Sequence, residues 1–236
     1  AVYVDPQQRL LLKDAAEVLQ EWDSRPHQVS TNMPIARERL GVIVGVGPAD
    51  YVNLTTATLP ISPYLITGGT ISVAAGRMSY TFGLHGPSMS VDSACSSSLV
   101  AVHYGVLDLQ AHHPDATLAA GVNLLLLSHR STALQMNGML AMDGRCKTLD
   151  ASANGYVRGE CSIVFLLAIV SPSMLDTPQS LPSLLILGSC VNQDGRSSSL
   201  TAPNGPAQQN VIKAALVAGN TAGGQVGVLE MHGTGT

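Results

Sequence analysis

Two side chains in this sequence have the chemistry and the setting of reactive groups, a cysteine and a histidine. Cys95 lies within GPSMSVDSACSSSLVAVH at residues 86–103. Ser88–Ala94 reads as a buried strand and Ser96 to about Gln110 as a helix, which puts Cys95 on the turn between them. The first amides of a helix lack partners within it, and that end carries partial positive charge. Both features favour a thiolate, the form of cysteine that attacks. Ser93, Ala94, Ser96 and Ser97 are small and leave room beside the sulfur for an acyl chain. A buried structural thiol is the commoner fate of a lone cysteine, and on periodicity alone that reading is the stronger. His232 opens HGTGT at 232–236, directly after Val226–Met231, an apolar run that reads as a short strand. Gly233 and Gly235 permit the tight backbone that brings a loop close to a ligand. An imidazole there can donate a hydrogen bond in either charge state, although a histidine at a strand end is more often a surface residue.

The remaining candidates carry weaker signals. Cys146, Cys161 and Cys190 complete a set of four cysteines with no CxxC pair and no histidine at ligand spacing, which disfavours zinc and a disulfide framework. Reduced thiols in a cytoplasmic setting are the expectation. Gly45-Val46-Gly47 after a strand has only part of a dinucleotide-binding loop, because the third glycine is missing. Asp143, Arg145, Lys147, Asp150 and Arg158 read as hydrogen-bonded loop residues, and Asn192, Gln193 and Asp194 as structural. His85, His103, His112, His113 and His129 read as ordinary surface or core residues.

The elements that must position these groups alternate between strand and helix. Asp5-Pro6 followed by QQRLLLKDAAEVLQEW predicts a capped helix, with Leu11, Ala15, Val18, Leu19 and Trp22 on one apolar stripe. GVIVGVG at 41–47 predicts a buried strand, and residues 50–80 a loop and helix. Further strands are predicted at Ala116–Leu125, Ser162–Ile169 and Leu184–Val191, and a helix over Pro206–Ala218 closed by Gly219. This alternation indicates an α/β fold with mainly buried sheets.

Composition narrows the functional classes. The 236 residues are 45% hydrophobic but only 12% charged and 4% aromatic, a profile suited to tightly packed layers with extensive burial. A net charge of −4 without a basic cluster provides no footprint for nucleic acid or an anionic membrane. The apolar runs at 116–127 and 162–170 are shorter than the roughly 20 residues a membrane helix needs. The opening AVYVDPQQR lacks the pattern of a secretory signal.

The wording of the Cys95 segment adds what spacing alone does not. DSACSSSLVAVH resembles the active-site motif of ketosynthase (beta-ketoacyl synthase) domains in type I polyketide synthases. DPQQRLLL at 5–12, AGRMSYTFGLHGPS at 75–88, AAGVNLLL at 119–126 and DGRCKTLDASANGYVRGE at 143–160 resemble successive blocks of that family. VNQDGRSSSLTAPNGPAQ at 191–208 and EMHGTGT at 230–236 continue the series, so the resemblance runs the length of the chain.

The resemblance implies a thiolase-like layered α/β/α/β/α fold, incomplete at both ends, with residues 1–236 holding the end of the first half and the start of the second. It implies that Cys95 is the nucleophile and acyl carrier, and that His232 serves decarboxylation and condensation. The reaction implied is decarboxylative Claisen condensation with a malonyl-type extender on acyl carrier protein. No cofactor is expected on this domain, since phosphopantetheine is carried by the partner acyl carrier protein. A homodimer and other polyketide synthase domains in the same chain are the further partners implied. Because the family's second histidine and an oxyanion-hole segment lie beyond Thr236, residues 1–236 alone are expected to be inactive. A fatty acid synthase ketosynthase and a non-elongating domain that binds or transfers carrier-protein cargo are the alternatives. Cys161 stands where the family usually has glycine, and the family has an aromatic residue near Leu134 and at Leu149; the loss of those two aromatics alters the expected fine shape of the acyl channel, not the chemistry.

Overall fold

The computed structural model describes residues 2–24, 36–48, 50–112, 115–170 and 184–235. They form two compact units, one of Ala1–Ser171 with His232–Thr236 and one of Pro172–Met231.

The first unit begins with α1 (Pro6–Ser24), whose free Gln7 amide donates to Asp5 Oδ1 at 2.8 Å, the cap expected from the sequence. Next come β1 (Gly41–Val46), α2 (Asp50–Thr58), α3 (Tyr64–Gly69) and α4 (Ser72–Phe82), so residues 50–80 hold three helices rather than a loop and one helix. β2 (Ser88–Val91), a single 3-10 turn (Ala94–Ser96), α5 (Ser97–His112) and β3 (Thr117–Asn123) follow. α6 (Ser128–Met136) and β4 (Cys161–Leu167) complete the unit. α6 is absent from the sequence-based expectations because it buries none of its residues and so has no apolar stripe to announce it.

The strands form one sheet in the order β2-β1-β3-β4. β1 runs parallel to β2 and β3, and β4 runs antiparallel to β3. Side chains alternate across a strand, so the two faces of β1 and β3 differ by parity. Val42, Val44 and Val46 of β1 with Leu118, Ala120 and Val122 of β3 share a core with Leu11, Ala15 and Leu19 of α1 and Ala74, Ala75 and Met78 of α4. The odd positions, Gly41, Ile43 and Gly45 with Thr117, Ala119 and Gly121, face α5 and are mostly small. A Cβ on Gly105 of α5 would lie 3.6 Å from Ala119 Cβ, which shows how closely this helix rests on the sheet. Thr117 Oγ1 donates to the buried Asp108 Oδ2 at 2.9 Å and fixes the far end of α5.

The second unit contains α7 (Gly205–Ala218), with the Ala207 amide donating to the Asn204 cap at 3.3 Å and Gly219 closing it. The predicted strands at 184–191 and 226–231 do not form. Both stretches are apolar, but neither joins a β-ladder among the described residues, and a ladder is what makes a strand. Gly188 instead lies against the end of α7, where a Cβ would come within 2.4 Å of Ala215 O. Among the described residues no helix is long and apolar enough to cross a membrane.

Candidate active site

Cys95 is exposed at the middle of the 3-10 turn between β2 and α5. The strand ends at Val91, three residues earlier than the predicted Ala94, because the chain must turn sharply to enter the helix. Ala94 takes a left-handed φ of 56°, unusual for a residue with a Cβ. A set of short side chains holds this turn. The Ala94 amide donates to Asp92 Oδ1 at 3.0 Å, and the Ser93 and Ser96 hydroxyls meet at 2.9 Å. Ser97 Oγ accepts from the Ser93 amide at 2.8 Å and donates to Ala94 O at 2.7 Å.

Beneath the turn lies a pair of glycines. Gly45 and Gly121 are register partners on β1 and β3. A Cβ on Gly45 would lie 2.5 Å from the Ser97 carbonyl carbon and oxygen, and one on Gly121 would lie 2.6 Å from Ser98 Cβ. The first turn of α5 therefore rests directly on backbone. Gly45 is a packing residue beneath the Cys95 turn, which accounts for the incomplete glycine motif seen in the sequence. Sequence reading missed this pair because it exists only once β1 and β3 are in register.

His232 lies in the same compact unit as Cys95, exposed, in a segment without regular structure. No hydrogen bond or ion pair among the described residues joins it directly to Cys95. Its loop is held by residues 147–155: the Thr148 hydroxyl donates to Gly233 O, and the Gly155 amide donates to Gly235 O at 3.1 Å. Gly233 and Gly235 adopt φ of 49° and 69°. A Cβ on Gly235 would lie 2.9 Å from the Lys147 amide nitrogen, so both dihedral and space call for glycine.

The polar loop residues brace this frame, as expected. Lys147 bonds Asp143 at 2.8 Å and holds that carboxyl below the usual carboxylate range. The Ser152 hydroxyl and amide do the same for Asp150. Arg158 donates to Ser131 of α6 at 2.9 Å, and the Val157 amide lies 3.2 Å from Cys146 Sγ. Asn192 donates to Ala207 O at 2.8 Å, and Asp194 accepts from the Asn204 amide at 3.0 Å, both structural ties. His112 pairs with Asp108 at 3.1 Å, and His113 lies outside the described residues. Cys161 and Cys190 are free thiols, on β4 and before α7.

Comparison with known proteins agrees with the motifs. Residues 1–171 match the family model for the beta-ketoacyl synthase N-terminal domain, and residues 184–236 the model for its C-terminal domain. A phenolphthiocerol/phthiocerol polyketide synthase of Mycobacterium tuberculosis is 42% identical over 100% of this chain and 11% of its own length. A spectinabilin polyketide synthase system protein of Streptomyces orinoci is 41% identical over 100% of this chain and 6% of its own. Among solved structures, the ketosynthase from module 6 of the bacillaene synthase of Bacillus subtilis matches with a TM-score of 0.81 and 29% identity, over 99% of this chain and 38% of that one. An oxazolomycin ketosynthase domain of Streptomyces albus gives 0.82 and 28%, over 100% and 39%. The fold is thiolase-like, and the chain spans a small part of the curated relatives it matches.

Proposed function

The chain belongs to the beta-ketoacyl synthase family, and on that premise we propose that it is the part of a polyketide synthase ketosynthase domain that carries the nucleophile Cys95 and its partner His232. In this reading residues 1–236 hold the end of the first thiolase-like half and the start of the second. The supporting observation is the Cys95 turn: an exposed thiol seated at the start of α5 by bonds from both flanks. The polyketide synthase names of the relatives favour this pathway over fatty acid synthesis.

The chemistry is acyl transfer in two stages. The Cys95 thiolate attacks the thioester carbonyl of an acyl group on the phosphopantetheine of acyl carrier protein, forming a new thioester and expelling the pantetheine thiolate, which takes up the proton that the Cys95 thiol gave up. A malonyl-type thioester then loses carbon dioxide, and the electron pair of the broken bond becomes an enolate. The enolate carbon attacks the Cys95 thioester and expels the thiolate, leaving a β-ketoacyl thioester longer by two backbone carbons. Covalent capture splits one difficult step into two easier ones. His232 donates a hydrogen bond to the thioester oxygen that gains charge as the enolate forms. Assembly is as a homodimer alongside other synthase domains, in a cytoplasmic setting.

Mapping of an acyl label tests the assignment. In the full-length protein, a labelled acyl thioester should modify Cys95 alone, and Cys95→Ala should abolish labelling. His232→Ala should keep the label on Cys95 and lose decarboxylation of the malonyl thioester by about a hundredfold or more. Label carried on Cys146 or retained in Cys95→Ala would overturn the nucleophile, and unchanged decarboxylation in His232→Ala would overturn the second role.

A further inference from the structure

We propose that Ser97 is the positioning residue of the nucleophile turn, holding Ala94 in its left-handed conformation and thereby fixing the direction of the Cys95 side chain. The inference rests on Cys95 being the nucleophile and adds how the chain holds it. Ala94 precedes Cys95 with a φ of 56°, a conformation that glycine adopts freely and alanine does not. Something in the surroundings must hold it there. Of the side chains tied into the turn, Asp92, Ser93 and Ser96 are exposed, so water competes for their bonds. Ser97 alone is buried, with 6% of its surface exposed.

Its single hydroxyl spans the strained residue. It accepts from the Ser93 amide on one side and donates to the Ala94 carbonyl on the other, at 2.8 and 2.7 Å. The backbone of Ser97 is in turn pressed against Gly45, so the hydroxyl is anchored to the sheet and does not follow the turn if the turn relaxes. Without it, the Ser93 amide and Ala94 carbonyl lose their buried partner, and Ala94 is free to return to an ordinary φ. That rotation swings the next residue, Cys95, away from the amides at the start of α5.

The test is a double-mutant cycle in the full-length protein. Rates of iodoacetamide modification at each thiol are read by peptide mapping between about pH 6 and pH 9. Acyl transfer to Cys95 is measured in parallel. Ser97→Ala is expected to slow both reactions at Cys95 by about tenfold or more, since small misplacements of a reacting group carry large rate penalties. Cys146 serves as the internal control, and its rate should not change. Ala94→Gly alone is the second single variant of the cycle, and its rate at Cys95 is the reference for the combined protein. The combined Ala94→Gly, Ser97→Ala protein should recover to within about threefold, because glycine needs no clamp.

A Ser97→Ala protein that reacts at the original rate overturns the proposal. So does a combined variant as slow as Ser97→Ala, which would make Ser97 an ordinary packing residue. Where Ser97→Ala does not fold, the combined variant decides: Cys95 must still outpace Cys146 in it. If Cys95 is not the fastest thiol in the unaltered protein, the nucleophile assignment itself fails. If it is, and only the Ser97 variants behave otherwise than stated, that assignment stands and the role of Ser97 falls.

Discussion

Replacing Gly45 by alanine tests the link between sheet register and the position of Cys95. The new Cβ would lie 2.5 Å from the carbonyl carbon and oxygen of Ser97 and 2.6 Å from the Ser98 amide nitrogen. These are backbone atoms of a helix and cannot rotate away as a side-chain end could. Ordinary contact begins near 3.4 Å, so the first turn of α5 must retreat by about 0.9 Å, the difference between 3.4 and 2.5 Å. Overpacking of this kind costs about 1–3 kcal/mol. The retreat also carries Ser97 and the Cys95 turn away from the sheet, and a displacement near 1 Å at a reacting group can cost about a hundredfold in rate. Gly76 supplies the opposite control: it lies exposed within α4, and a Cβ there meets nothing within 4 Å. Gly76→Ala should therefore stabilise the protein by about 0.5–1 kcal/mol, the helix preference of alanine over glycine. Denaturant unfolding and the rate of Cys95 acylation, measured on both variants in the full-length protein, give the comparison. Should Gly45→Ala match the original protein in both, close approach of α5 to the sheet is not what seats Cys95, and the reasoning fails.

The same logic applies to the His232 loop, where Gly235→Ala combines a strained φ of 69° with a Cβ 2.9 Å from the Lys147 amide nitrogen. That variant should keep acylation at Cys95 and lose malonyl decarboxylation, and equal loss of both steps in a two-step assay would refute it. Burial raises the Asp5 carboxyl above its ordinary value of 3.8, with the Gln7 bonds opposing. The stability it contributes is complete below the unfolded value and is lost as pH rises through the folded one. Asp5→Asn, which keeps the acceptor without the charge, should be at least as stable as the original at pH ~7, with the difference vanishing below about pH 4. Asp5→Ala should lose about 1 kcal/mol for the missing cap. Unfolding midpoints at the two pH values check the order, and an asparagine variant weaker than the alanine one would contradict it.

Much of the site was legible because its signals are local. The Asp5-Pro6 cap, the buried run of β1 and the small residues after Cys95 each belong to one short segment, and each appears in the structure where the sequence placed it. What was not legible depends on partners distant in the chain. The Thr148 hydroxyl that holds Gly233 lies 85 residues away from it, and Gly45 meets Gly121 only through strand register. Ala94 gave no sign of its left-handed backbone, since alanine, unlike glycine or asparagine, does not mark such positions. The apolar runs at 184–191 and 226–231 have strand composition, but composition cannot supply a neighbouring ladder.

The parity of β1 and β3 explains why stability and chemistry place different demands on the same strands. Even positions meet α1 and α4 through valine, leucine and alanine side chains, where buried volume sets the energy. Odd positions at the Cys95 end are glycines on both strands, and there the backbone itself is the contact surface. Side chains in a core can repack by rotating, so the even face tolerates small volume changes with modest displacement. A backbone-to-backbone contact has no rotamer to adjust, so any added atom becomes a translation of α5. Because the Ser97 hydroxyl on the first turn of that helix bonds the Ser93 amide and the Ala94 carbonyl, the residues leading into Cys95, such a translation is passed on to the turn that carries the sulfur. The odd face therefore sets where Cys95 stands, and the even face sets how firmly the sheet beneath it holds.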